Sequence, residues 1–131
     1  MGLEMAGKSY NADAATFVSV LFHSGTNAHF MHLQATGAGS FSLHTALDIY
    51  YHQIIDLTDA WAEAYQGCYE VITDYPNTFH SETDPQKYIT KISEFVKDYR
   101  VHLPQESQLQ NLVDEIATLI DSTLYKLRFL K

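Results

Sequence analysis

The sequence predicts an all-α fold, a four-helix bundle whose second-to-third helix connection is longer than the other two. Three observations predict it. Apolar residues recur at helical spacing in four segments, glycines and prolines separate those segments, and no stretch of useful length alternates as a strand would. A length of 131 residues suits one domain with one core, in which residues 1 to about 11 form a loose N-terminal lead-in.

The first helix is expected to begin at Ala12 and to break at the residues from 35 to 40. In that break, Gly37 and Gly39 suit a turn, and Ser40 is placed to act as the N-cap of the next helix. The inward face of the first helix begins apolar and ends in two histidines; its members are Phe17, Val18, Leu21, Phe22, Gly25, Ala28, His29 and His32.

The second helix is expected from Ser40 to the late sixties, ending at Gly67 or continuing toward Thr73. At 100° per residue, one side of it carries an apolar stripe that predicts the core-facing surface. The stripe consists of Leu43, Leu47, Tyr50, Ile54, Leu57, Trp61 and Tyr65.

The longer connection contains a turn at 74–77 and runs to Thr83. Asp84 followed by Pro85 is typical of a helix start, with Asp as N-cap and Pro as the first helical residue. This third helix is expected to reach about Val101, and Pro104 is expected to open the fourth helix.

Composition restricts the classes of partner and compartment. A formal net charge of −8 argues against DNA or an anionic membrane surface as the main partner. The single cysteine, Cys68, excludes an internal disulfide and suits a reducing compartment. No apolar run reaches membrane-spanning length, so a cytoplasmic protein with no membrane association is expected.

The opposite side of the second helix has the composition of a metal site. Within an arc of roughly 120° it carries two imidazoles and four carboxylates but no lysine or arginine. A solvated helix face usually mixes both charge signs, and such a face remains the simple alternative interpretation. The residues concerned are His44, Asp48, His52, Asp56, Asp59 and Glu63.

The spacing of these residues defines two pairs. His44 and Asp48 are four residues apart, as are Asp59 and Glu63, so each pair can approach one ion. Asp48 and Asp59 are separated by about 16 Å along a straight helix, too far for one ion to bridge. The pairs therefore form either two separate weak sites or one site completed by a second, antiparallel copy of the helix. Imidazole and carboxylate ligands without a thiolate suit iron, manganese or zinc.

A run of residues around these pairs resembles the starvation-induced mini-ferritins, the Dps family, at matching spacing. The segment from Asp121 to Leu130 is also similar to the last helix of that family. The matching residues are His29, His32, Gly37, Phe41, Leu43, His44, Asp48, Tyr51, Asp59 and Glu63.

The resemblance implies a ferritin-like bundle that oxidises Fe(II) with peroxide or oxygen and stores Fe(III) in a hollow assembly. It implies a homo-oligomer, at least a two-fold dimer, and the twelve-subunit shell that members of the family form. Leu33 stands where the family usually has Trp, and the third helix is shorter than the family's. By resemblance, the ferroxidase ligands, contributed by two subunits, are His32, His44, Asp48, Asp59 and Glu63.

A second hypothesis keeps the fold without the enzyme. The histidine and carboxylate face would then be a structural zinc or manganese clamp between two copies, or a docking surface for a basic partner protein.

Overall fold

The computed structural model describes residues 9–77 and 79–131, so most of the expected N-terminal lead-in lies outside the described residues. Four α-helices account for most of this part of the chain, which contains no strand. A 3-10 turn at Arg100–His102 follows the third helix directly. The helices are α1 (Asn11–Gln34), α2 (Ser40–Cys68), α3 (Pro85–Tyr99) and α4 (Ser107–Phe129). The prediction of an all-α four-helix bundle is confirmed.

The helices run up, down, down and up. Residues from the turn after α1, the starts of α2 and α3 and the end of α4 line one cavity, so these four termini share one end of the bundle. At the other end, the Tyr69 hydroxyl donates to Glu106 at 2.5 Å, and the Tyr99 hydroxyl donates to Asp13 at 2.8 Å. These contacts join the end of α2 to the start of α4 and the end of α3 to the start of α1. The connection from α2 to α3 must therefore cross the full length of the bundle.

This crossover connection, residues 69–84, lies along α1. At its beginning, Asn11 donates to the Val71 carbonyl and accepts from the amide and hydroxyl of Thr73. Near its end, the Asn27 side-chain amide donates to the Glu82 carbonyl at 3.2 Å. These side-chain bonds take the place of the backbone ladder that an irregular segment lacks.

The core lies between the helices as the apolar stripes predict. α1 packs on α2, α2 on α4 and α3 on α4, while α1 and α3 touch less extensively. The predicted stripe of α2 is buried at Leu47, Tyr50, Ile54, Trp61 and Tyr65, and Leu43 and Leu57 are half-buried at its edge.

The start of α2 differs from the prediction. Gly39, with φ of 76°, is the N-cap, and Ser40 is the first helical residue without a capping bond from its side chain. The backbone must adopt the left-handed region at this position, which glycine does at no steric cost. The predicted N-cap at Ser40 was therefore wrong by one residue, whereas Asp84 does cap α3 by accepting from the Lys87 amide at 3.1 Å.

Pro104 does not open the fourth helix. α3 ends at Tyr99, the 3-10 turn extends to His102, and residues 103–106 are irregular before α4 begins at Ser107. The side-chain amide of Gln110 donates to the carbonyls of Arg100 and Pro104 and stabilises this turn. These bonds to the first turn of α4 favour the irregular turn over an early helix start.

The inward face of α1 is also narrower than predicted. His32 is buried, but His29 and Phe22 are exposed. No helix within the described ranges is long and apolar enough to cross a membrane.

Candidate metal centre

Two of the predicted ligands meet where α1 ends and α2 begins. The rings of His32 and His44 stack with their centroids 3.6 Å apart and their planes 20° apart. The turn between the helices reverses the chain, which brings these residues together although they are twelve positions apart in sequence.

The two histidines hold each other through the backbone. His32 Nδ1 lies 2.8 Å from the His44 carbonyl oxygen, and His44 Nδ1 lies 2.9 Å from the His32 carbonyl oxygen. A carbonyl oxygen only accepts, so both Nδ1 atoms must donate and carry the ring proton. In the neutral tautomer this leaves the lone pair of each Nε2 free, which is how metal-binding histidines are commonly oriented.

A tyrosine closes this cluster on one side. The ring of Tyr51 stacks on His29 with centroids 4.0 Å apart and planes 8° apart, and it meets the edge of His32 at 5.4 Å. Tyr51 is half-buried, and its pKa is raised by burial first and then by its hydrogen bond to Asp48. Sequence reasoning singled out Tyr51 only through the resemblance, because a tyrosine at this spacing predicts packing as readily as a site.

Asp48 lies on the same side but turns toward other partners. Its carboxylate interacts with the Tyr51 hydroxyl and lies 3.6 Å from His52 Nδ1. His52 Nδ1 also donates to the Asp48 carbonyl at 2.9 Å, so this exposed histidine again has its Nδ1 occupied by a backbone oxygen. Asp48 is thus linked to the histidine pair through Tyr51, which contacts His32.

Asp59 and Glu63 form the second pair further along α2. Both are exposed, and the pKa of Glu63 is raised from its ordinary value by a hydrogen bond with Asp59 and by the negative charge of that carboxylate. The two carboxyl groups are therefore within hydrogen-bonding reach of each other.

The single chain does not bring all five predicted ligands together. On α2, His44 and Asp48 are separated from Asp59 and Glu63 by the helix between Asp48 and Asp59, about 16 Å along its axis. Within residues 9–77 and 79–131, no group of three or more His, Cys, Asp or Glu side chains could hold a metal ion. A site that used all five residues would need a second copy of the chain.

The fold and this face define an all-helical bundle with paired imidazoles and paired carboxylates on one side. The chain belongs to DUF5856, a family of unknown function, whose sequence model matches residues 32–127. The matched range begins at His32, covers α2 and α3, and includes most of α4. No curated protein and no solved structure matches the chain.

Proposed function

We propose that this protein is a Dps-like, ferritin-like ferroxidase that binds Fe(II) at a site shared by two copies, oxidises it and sequesters the product. The observation that carries the proposal is the reciprocal pairing of His32 and His44, which leaves both Nε2 lone pairs available. In each site, His32, His44 and Asp48 of one copy would act with Asp59 and Glu63 of the other.

The topology supports the ferritin-like part of the proposal. Ferritin-like bundles use one long crossover connection, and here residues 69–84 cross the bundle between two parallel helices, α2 and α3. The usual intrasubunit di-iron pattern requires Glu-x-x-His pairs, and none of the glutamates in the sequence has histidine three residues later. A site between subunits is therefore the better account of these ligands.

Symmetry supports the shared site. The pairings His44 with Glu63 and Asp48 with Asp59 are both centred on one point of α2, next to the exposed Gln53. A two-fold axis at that point would cross two α2 helices antiparallel and bring each imidazole end against the partner's carboxylate end. Two identical sites per dimer would result, each with carboxylates to offset the charge gained when Fe(II) becomes Fe(III).

The types of metal ligand at the proposed site are also compatible with Fe(II) as the substrate. Imidazole and carboxylate ligands suit Fe(II), and they also accept zinc or manganese as substitutes. A structural zinc or manganese clamp would use the same residues without turnover, so the experiment must measure oxidation as well as binding.

The test is an anaerobic titration of the protein with Fe(II), followed by addition of peroxide and optical detection of Fe(III). We expect saturable binding and rapid oxidation, both lost in the Asp59→Asn/Glu63→Gln double variant. Asp121→Asn/Glu115→Gln is the matched control, because it removes two exposed carboxylates from α4 instead. Binding that is equal in both double variants would overturn the proposal, and binding without oxidation would favour the clamp.

Subunit complementation tests whether the site is shared. His44→Ala and Asp59→Asn/Glu63→Gln should each abolish binding, but a heterodimer of the two variants contains one site with all its ligands intact. Refolding an equal mixture should recover about a quarter of the wild-type sites if subunits pair at random. Failure of the mixture to recover any binding would exclude a shared site.

A further inference from the structure

Three aromatic side chains form a continuous ladder along α2 and its end. Trp61 stacks on Tyr65 with centroids 5.4 Å apart and planes 15° apart. Tyr65 stacks on Tyr69 at 5.3 Å and 19°. The three residues are spaced by four, so their rings follow one another on the same helix face. Trp61 and Tyr65 are fully buried, whereas Tyr69 is 43% exposed.

The buried part of this ladder has polar atoms without partners. Trp61 Nε1 and the Tyr65 hydroxyl are both inaccessible to solvent and have no hydrogen-bond partner among the described residues. An unpaired buried donor costs roughly 1–3 kcal/mol, so each such group in a native protein calls for an explanation. Burial also raises the pKa of Tyr65 to about 12.

The exposed end of the ladder is built differently. The Tyr69 hydroxyl donates to Glu106 at 2.5 Å, a short charge-assisted hydrogen bond. Glu106 is therefore positioned to accept the phenolic proton within the distance at which side chains transfer protons. Tyr69 is the only member of the ladder for which the structure supplies such an acceptor.

We infer that this ladder conducts oxidising equivalents from Trp61 in the core to Tyr69 at the surface, with Glu106 as the proton acceptor. A one-electron oxidant of the hydroxyl-radical class takes an electron from Trp61 and leaves as hydroxide. One electron then passes from Tyr69 to the Trp61 radical cation, while the phenolic proton of Tyr69 moves to the Glu106 carboxylate. The products are neutral Trp61, a Tyr69 phenoxyl radical and protonated Glu106.

The electron transfer ends at Tyr69 because the described residues provide a proton acceptor for Tyr69 but none for Trp61 or Tyr65. A Trp61 radical cation has no acceptor for its Nε1 proton among residues 9–77 and 79–131, so it keeps that proton and remains a stronger oxidant than a neutral indolyl radical. The same part of the chain offers the Tyr65 hydroxyl no acceptor either, and a phenol that retains its proton is harder to oxidise than indole. Tyr65 therefore acts as a stacked bridge, and the radical comes to rest at Tyr69.

Because Trp61 is the only tryptophan in the chain, the ladder can be tested without a metal. A laser pulse absorbed by indole but not by phenol photoionises Trp61, and transient absorption follows the indole and phenoxyl radicals. In the wild type we expect the indole radical to decay as the phenoxyl radical forms. Glu106→Gln removes the proton acceptor and should slow this step at least about tenfold.

Further variants distinguish the bridge from the end point. Tyr65→Phe keeps the stacked ring and should leave the transfer nearly unchanged, whereas Tyr65→Leu should slow it. Tyr69→Phe should abolish the phenoxyl product, and Tyr88→Phe, a buried tyrosine outside the ladder, is the matched control. Absence of a phenoxyl signal in the wild type, or equal kinetics in wild type, Glu106→Gln and Tyr69→Phe, would overturn the inference. Neither result depends on the proposed iron chemistry.

Discussion

Two buried hydroxyl groups, Ser24 on α1 and Tyr50 on α2, form a hydrogen bond whose donor can be assigned. Ser24 Oγ donates to the Leu21 carbonyl at 2.6 Å and lies 2.7 Å from the Tyr50 hydroxyl. Since serine has only one hydroxyl proton, Tyr50 must be the donor to Ser24. Ser24 is thus the only acceptor that these contacts provide for a fully buried phenol.

This assignment predicts unequal costs for removing the two hydroxyls. Ser24→Ala leaves the Tyr50 donor buried and unpaired, which costs roughly 1–3 kcal/mol of unfolding free energy. Tyr50→Phe removes the donor itself while Ser24 keeps its bond to Leu21, which costs about 1 kcal/mol. Urea unfolding monitored by circular dichroism measures both. If Tyr50→Phe loses more unfolding free energy than Ser24→Ala, the assignment of Tyr50 as the donor is wrong.

Two glycines inside helices have opposite surroundings. A Cβ atom added at Gly25 of α1 would lie 3.1 Å from Ile54 Cγ2 and 3.7 Å from the Tyr51 carbonyl oxygen, both on α2. A Cβ added at Gly67 of α2 would meet nothing within 4 Å. Gly25 therefore permits the close approach of α1 and α2 that aligns His32 with His44, whereas Gly67 has no such packing role.

We expect alanine to act in opposite directions at these two positions. Gly67→Ala should raise the free energy of unfolding by roughly 0.4–1 kcal/mol, because it reduces the freedom of the unfolded chain without a clash. Gly25→Ala also reduces the freedom of the unfolded chain, but it overpacks the α1–α2 contact, which costs roughly 1–3 kcal/mol of unfolding free energy. Thermal and urea unfolding of the two variants provide the comparison. Equal stabilisation by both substitutions would show that the contact at Gly25 relaxes freely.

The whole molecule presents apolar side chains on the outer side of α1 and α2. Ile55 is 47% exposed on the helix face that also carries the candidate ligands, and Leu33 is 67% exposed near the end of α1. Phe41, at the start of α2, is 80% exposed. Apolar groups around a polar site are typical of surfaces that associate, and the proposed two-fold dimer would cover this face.

A charge introduced on this face should therefore lower the mass of the assembly. We expect the wild type to sediment as a dimer or larger, and Ile55→Lys to shift it toward monomer, because a buried lysine without a partner opposes association. Val101→Lys is the control, since Val101 is 70% exposed on the turn between α3 and α4. If analytical ultracentrifugation shows the same mass for Ile55→Lys as for the wild type, a two-fold dimer through this face is excluded.

Local chemistry accounts for the parts of the fold that were predictable. The α2 stripe from Leu47 to Tyr65 and the Asp84–Pro85 helix start depend on residues within a few positions of one another. The starts of α2 and α4 were predicted less well, because the hydrophobic pattern does not specify the backbone conformation of a turn or the side chain that holds it. Gly39 adopts a left-handed backbone to turn the chain, and Gln110 of α4 holds the segment that Pro104 was expected to turn into helix.

The candidate site likewise has a part that the sequence predicts and a part that only the packed helices determine. Side-chain type and helical period along α2 were enough to identify the face that carries His44, Asp48, Asp59 and Glu63. Two contacts join separate elements and could not be predicted from a local pattern: the stacking of His32 on His44 and the hydrogen bond from Tyr69 to Glu106. The interaction of Asp48 with Tyr51 lies within α2, but it depends on side-chain rotamers that the sequence pattern does not specify. Helical period is a property of neighbours in sequence, whereas the orientation of a side chain is set by whatever the packed helices place around it.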